Sequence, residues 1–211
     1  MKSLKSSLFI VGLSMLISAP AFADSAYITQ AGSNDVANTN QTAGWWANTI
    51  TVNQGLNSLN SNTETATVTQ NSTVGNNNAT ISQDGSKDNA TITQYGSSGN
   101  ASISQATRGD NNTATIYQDG SSINETAVIN QSSSTNTGTI NQYGYNDIAT
   151  ISQWGGDRNE ATITQNSGSW DTATIWQNGY DNIASIDQAG SLKTASVSQL
   201  GNSNHASVIQ H

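Results

Sequence analysis

Ala79-Thr80-Ile81-Ser82-Gln83 is one copy of a five-residue phrase, Ala-x-Ile/Val-x-Gln, that this chain repeats almost to its last residue. The phrase closes on sixteen glutamines running from Gln30 to Gln210, spaced 11 to 16 residues apart. A period this short means that one small unit is stacked on itself, so function belongs to the stack and its ends and not to a pocket.

Aligned on the glutamine, the residue two places earlier is Ile or Val in fifteen of the sixteen units, and only Thr39 breaks the column. Its regular members are Ile81, Ile92, Ile103, Ile116, Ile129, Ile140, Ile151, Ile163, Ile175, Ile186, Val197 and Val208. Four places before the glutamine stands Ala, with Ile50 and Gly138 as exceptions, and the positions between are mostly Thr and Ser. Strict alternation of this kind describes a short strand with one buried face. A helix is opposed by both the period and the β-branched residues. Between phrases lie Gly- and Asn-rich stretches such as Gln94-Tyr95-Gly96-Ser97-Ser98-Gly99-Asn100, whose residues tolerate the positive φ of tight turns.

The predicted fold is all-β: a β-solenoid of about sixteen short strands in eight strand-turn-strand rungs, rising about 38 Å at the usual strand spacing. Its core holds the aliphatic column and an inward column of glutamines: Gln30, Gln54, Gln70, Gln83, Gln94, Gln105, Gln118, Gln131, Gln142, Gln153, Gln165, Gln177, Gln188, Gln199 and Gln210. A buried amide without partners costs about 1–3 kcal/mol. Identical amides stacked one above another satisfy each other, as in cross-β assemblies. A slip of one residue would bury Thr and Ser and expose Ile and Gln, so the ladder also holds the register.

Residues 1–23 read as a secretory leader, with Lys2 and Lys5 ahead of the apolar run Leu8–Ile17 and Ala21-Phe22-Ala23 as the cleavage pattern. Residues 24–65 form an irregular N-terminal part, with a long unphrased turn from Gly55 to Thr65, and residues 66–211 form the regular solenoid. Loss of the two leader lysines takes the net charge from -8 to -10. So acidic a chain argues against nucleic acid or anionic lipid as a partner, and the leader's apolar run is too short to span a bilayer, so no membrane insertion is expected. It has no cysteine, so disulfides contribute nothing even in an oxidising compartment.

The phrase, joined to Gln177-Asn178-Gly179-Tyr180-Asp181-Asn182-Ile183-Ala184 and Gln199-Leu200-Gly201-Asn202-Ser203-Asn204-His205-Ala206, resembles the curlin repeat of bacterial curli subunits. That resemblance implies a secreted subunit that assembles into amyloid fibres of the biofilm matrix. It implies as partners a nucleator subunit and an outer-membrane secretion channel with periplasmic accessory proteins. Familiar members are shorter, and the Gly/Asn-rich export segment ahead of the first repeat is not evident here. The final repeat lacks the basic character of the nucleator, which favours a major subunit over a minor one.

The expected polymerisation ends are Ala26, Ile28 and Gln30 at one side and Ala206, Val208 and Gln210 at the other, because neither is followed by a capping element. A head-to-tail contact that does not close gives a filament.

Monomeric alternatives stay open. Outward pairs such as Thr91 with Thr93 and Thr162 with Thr164 could form an ice-binding grid, although Tyr117, Asn130, Trp176 and Asp187 are expected to roughen the same outward column. An adhesin solenoid is the other. Tyr95, Tyr143, Trp154, Trp45, Trp46, Trp170 and Tyr180 suit rung-to-rung stacking or an adhesive surface. Asp84, Asp119, Asp157, Asp171 and Asp181 read as solvated turn acids, without the nonapeptide of calcium-binding β-rolls. His205 and His211 lack the spacing of a metal site. No cofactor and no catalytic constellation is expected.

Overall fold

A computed structural model describes residues 24–42, 46–55, 63–72, 74–106, 110–120 and 123–211. The leader, Trp45 and residues 56–62 of the long turn lie outside them.

The described chain is all-β, sixteen strands in two sheets of eight. Odd-numbered strands make one sheet: β1 (Ser25–Gln30), β3 (Thr49–Gln54), β5 (Asn78–Gln83), β7 (Asn100–Gln105), β9 (Thr126–Gln131), β11 (Ile148–Trp154), β13 (Thr172–Asn178) and β15 (Thr194–Leu200). Even-numbered strands make the other: β2 (Val36–Thr42), β4 (Thr65–Asn71), β6 (Asn89–Gln94), β8 (Thr113–Gln118), β10 (Thr137–Gln142), β12 (Glu160–Ser169), β14 (Ile183–Ser191) and β16 (His205–Gln210). Each turn sends the chain to the opposite sheet, and the next returns it one rung further on, so strands two apart in sequence pair in parallel. The β7–β9 pair shows the rule, with Ala101 beside Ala127, Ile103 beside Ile129 and Gln105 beside Gln131. Thr39 keeps its place in the column, beside Val68.

Between the sheets lies a single core made of the Ala and Ile/Val columns, with Ile81, Ile92, Ile103, Ile116, Ile129, Ile140, Ile151, Ile163 and Ile175 all inaccessible to solvent. Burial of each contributes about 1.5–3 kcal/mol. The glycine exception in the Ala column has a local cause. A Cβ on Gly138 would lie 3.0 Å from the Ile129 Cγ2 methyl of the facing sheet, which fills that space.

Winding also corrects one expectation. Tyr117 and Asp187 belong to β8 and β14, whereas Asn130 and Trp176 belong to β9 and β13. Alternate strands enter opposite sheets, so a column that is single in the alignment becomes two columns on opposite faces.

Turns vary in length but share one conformational device. Among the described residues the fourteen non-glycine residues with positive φ all stand seven places before a glutamine, Asn76, Ser98, Asn124, Asn146, Trp170 and Leu192 among them. The left-handed residue reverses the chain so that the next strand starts in phase. Asn accepts this conformation readily, whereas a larger side chain is strained by about 1–2 kcal/mol. Leu192 adopts φ 60° with its side chain 78% exposed, so little packing compensates it. We predict that Leu192→Asn raises the urea midpoint by the equivalent of about 0.5–1 kcal/mol. Leu200→Asn, equally exposed but in strand conformation, serves as the control and leaves the midpoint unchanged or lower.

Candidate functional site

Parallel, in-register stacking brings the inward glutamines into two ladders. On the odd sheet the Nε2 of Gln30, Gln54, Gln83, Gln105, Gln131, Gln153 and Gln177 each donates to the Oε1 of the next glutamine, ending at Gln199, over 2.8–3.0 Å. On the even sheet the ladder runs from Gln41 through Gln70, Gln94, Gln118, Gln142, Gln165 and Gln188 to Gln210, over 2.8–3.1 Å. Gln41, outside the expected ladder, therefore opens the second column. Interior glutamines are buried, and their neighbours supply the hydrogen bonds that burial demands.

The second amide hydrogen goes across the core. Gln105 Nε2 reaches the Asn89 carbonyl at 3.3 Å and Gln131 Nε2 the Thr113 carbonyl at 3.1 Å, and the same bond recurs from Gln41 to Gln210. Each glutamine thus ties its rung to the next and its sheet to the opposite one.

A further column escaped the sequence reading. Six places before the glutamine, fourteen of sixteen units carry Asn, Asp or Glu, with Gly99 and Lys193 as the exceptions. The Asn and Asp side chains turn inward, and one oxygen of each accepts the backbone N–H of its counterpart one rung on, whereas among the described residues Glu64 has no partner for either oxygen and Glu125 accepts from Gly144 N at 3.2 Å. Asn112 accepts from Asn136 N at 3.0 Å, Asn136 from Asn159 N at 2.9 Å and Asn159 from Asn182 N at 3.1 Å. Turn-length variation hid the column from counting forward, whereas alignment on the following glutamine displays it.

Where Asp replaces Asn, the ladder persists under electrostatic tension. Asp88 accepts from Asn112 N at 2.9 Å, Asp147 from Asp171 N at 2.9 Å and Asp171 from Lys193 N at 2.7 Å. The second oxygen of each of these three carboxyls is buried without a partner. Asp171 therefore is no solvated turn acid, and Asp84 too is nearly covered; the phase of Asp171 in the column carries its carboxyl under the strand edge. Burial raises Glu64 to about 8, helped by repulsion from Asp35, Asp88 and Asp84. Burial likewise raises Asp88 to about 7 and Asp147 to about 6, with Asp110 and Asp171 respectively adding repulsion. Asp181 behaves oppositely, because the exposed Arg158 guanidinium holds it 2.6 Å away and lowers its pKa.

The outer faces carry the aromatics. Tyr117 stands between Tyr95 and Tyr143 with ring centroids 5.9 and 5.7 Å apart, the first pair edge-on and the second tilted, in a run climbing three rungs of the even sheet. Trp46, Trp154, Trp170 and Tyr180 are exposed.

The expected polymerisation residues lie at the two open ends. Ile28 is 40% exposed whereas its neighbour in the column, Val52, is fully covered. Ala26, Ala206 and Val208 pack against the core only in part. Among the described residues no donor reaches the Oε1 of Gln30 or Gln41. At the other end Gln199 and Gln210 give one amide hydrogen to the Ile183 and Thr194 carbonyls, and among the described residues the second meets no glutamine.

A family model described as the curlin associated repeat matches residues 75–106, 134–166, 156–190 and 181–211. No curated protein matches the chain.

Two measurements test the buried columns. Gln105→Ala removes the acceptor of Gln83 and the donor to Gln131, so unfolding is expected to become easier by about 1–3 kcal/mol, read from urea melts. Carboxyls with raised native pKa values favour the fold while protonated, so their contribution is full below about pH 4 and is lost as pH rises to about 8. Stability should fall over that window, and Glu64→Gln should flatten its upper part.

Proposed function

This chain belongs to the curlin repeat family, and from that premise we propose that it is a secreted structural subunit that self-assembles head to tail into amyloid fibres of a biofilm matrix, where it serves adhesion and aggregation. The observation that carries the proposal is the state of the two ends. Strands β1 and β2 open one end of both sheets and β15 and β16 close the other, and the same Ala, Ile/Val and Gln columns run out at both. A second copy continues every column without a change of register. Such a contact never closes on itself, so its product is a filament.

On this reading the leader is removed after Ala23, and the working place is extracellular, at the cell surface. The chain takes the role of a major subunit, started by a nucleator and exported through an outer-membrane channel with periplasmic helpers. The Tyr95–Tyr117–Tyr143 run and the exposed tryptophans roughen both outer faces, which favours adhesive contact over a flat ice-binding grid.

Purified protein incubated near neutral pH is expected to form filaments whose diffraction shows about 4.7 Å along the fibre and about 10 Å across it. Deletion of Ala206 to His211 should slow elongation from seeds. A soluble monomer that persists would overturn the proposal.

A further inference from the structure

The column six places before the glutamine differs at its two ends on the odd sheet. It begins at Asp24 and ends at Lys193, where a cation stands in a column otherwise built from Asn, Asp, Glu and one Gly. Inside the molecule one oxygen of each Asn or Asp in this column receives an N–H from the next rung, and Asp24 follows suit by accepting from Asn48 N at 2.8 Å. Lys193 cannot do the same, having no acceptor. Its ammonium instead donates to the His211 carbonyl at 2.9 Å, on the end face of the last rung. Among the described residues the one ion pair between side chains is Arg158–Asp181, so neither the Lys193 ammonium nor the Asp24 carboxylate is paired with an oppositely charged side chain within the monomer.

Stacking a second copy places its β1 on β15 and its β2 on β16. The column position of Asp24 then follows directly on that of Lys193, one strand spacing of about 4.8 Å away. We propose that the joint between subunits is an ion pair, Lys193 of one copy to Asp24 of the next, flanked by a polar amide contact. In that contact the free Nε2 hydrogens of Gln199 and Gln210 meet the open Oε1 atoms of Gln30 and Gln41.

On the even sheet Asn204 has an oxygen for the Asp35 N–H of the next copy, continuing the bonds that Asn182 makes to Asn204 N at 3.0 Å. Polarity follows from the same atoms. All fourteen glutamine bonds donate toward the higher-numbered rung, so two like ends would set acceptor against acceptor or donor against donor. The joint therefore has one orientation, and growth at the two fibre ends presents different chemistry.

This inference rests on head-to-tail assembly and adds its specific contact. The test is seeded elongation of the purified protein at low and high salt, comparing the parent with Lys193→Glu, Asp24→Lys and the double exchange. Each single exchange sets like charges against each other at the joint and should slow elongation about tenfold at low salt, with the difference shrinking as salt screens the contact. The double exchange should return the rate to within about twofold of the parent, and a mixture of the two single variants should elongate faster than either alone, because every joint between unlike variants sets opposite charges together. Circular dichroism of the seeds checks that all four chains reach the same β structure. If the single variants elongate as fast as the parent, or the double variant stays as slow as either, the ion pair is overturned while the fibre remains. If the parent itself forms no fibre, the assembly reading falls, and the joint with it.

Discussion

A primary amide buried between two sheets constrains everything else in this molecule. Each glutamine has two hydrogens to place and an oxygen to fill, and the apolar core offers none of these partners. Another glutamine one rung away satisfies the column bond, and the first carbonyl of the facing strand satisfies the second. Both partners exist only if strands are parallel, in register and paired two apart. The amide thus excludes antiparallel hairpins and register slips more sharply than the Ile column does, since apolar side chains tolerate displacement that hydrogen bonds do not.

The column six places earlier shows the same principle under poorer conditions. Asn fits best where its oxygen caps the next N–H and its nitrogen also finds a carbonyl, as Asn159 does with Gly156 at 3.0 Å, whereas among the described residues the nitrogens of Asn48, Asn112 and Asn136 are buried without a partner. Asp in the same place still caps the N–H but leaves an oxygen buried and unmatched. Runs of such acids occur as Asp35, Glu64 and Asp88 on one sheet and Glu125, Asp147 and Asp171 on the other. Repulsion along these runs opposes folding as the carboxyls ionise, so a stack held by hydrogen bonds carries an electrostatic counterweight inside it.

Much of this was legible before any coordinates. Alternation around Ile81 and Gln83 implies the strand, its inner face and the ladder, because a period of two leaves no other face for the glutamine. Asp171 was misplaced because nothing local separates a turn acid from one that folds under the strand edge; its role depends on Asp147 and Lys193, residues 24 and 22 positions away. Tyr117 and Trp176 were placed in one outward column for the same reason, since an alignment cannot show that alternate strands part to opposite sheets. The left-handed turn residue, whether Asn146 or Trp170, also escapes identity-based reading, because its conformation is imposed by closure of the rung.

By itself the sequence determined the unit, its inner face, and the requirement for a like neighbour, because alternation and the chemistry of a buried amide are local properties. Only the tertiary structure decided that sixteen units divide into two ladders, that a third column of Asn and acids runs beside them, and which atoms stand open at each end. Those features depend on how turns of unequal length close over one another, and turn closure is a property of the stacked chain, not of any one repeat.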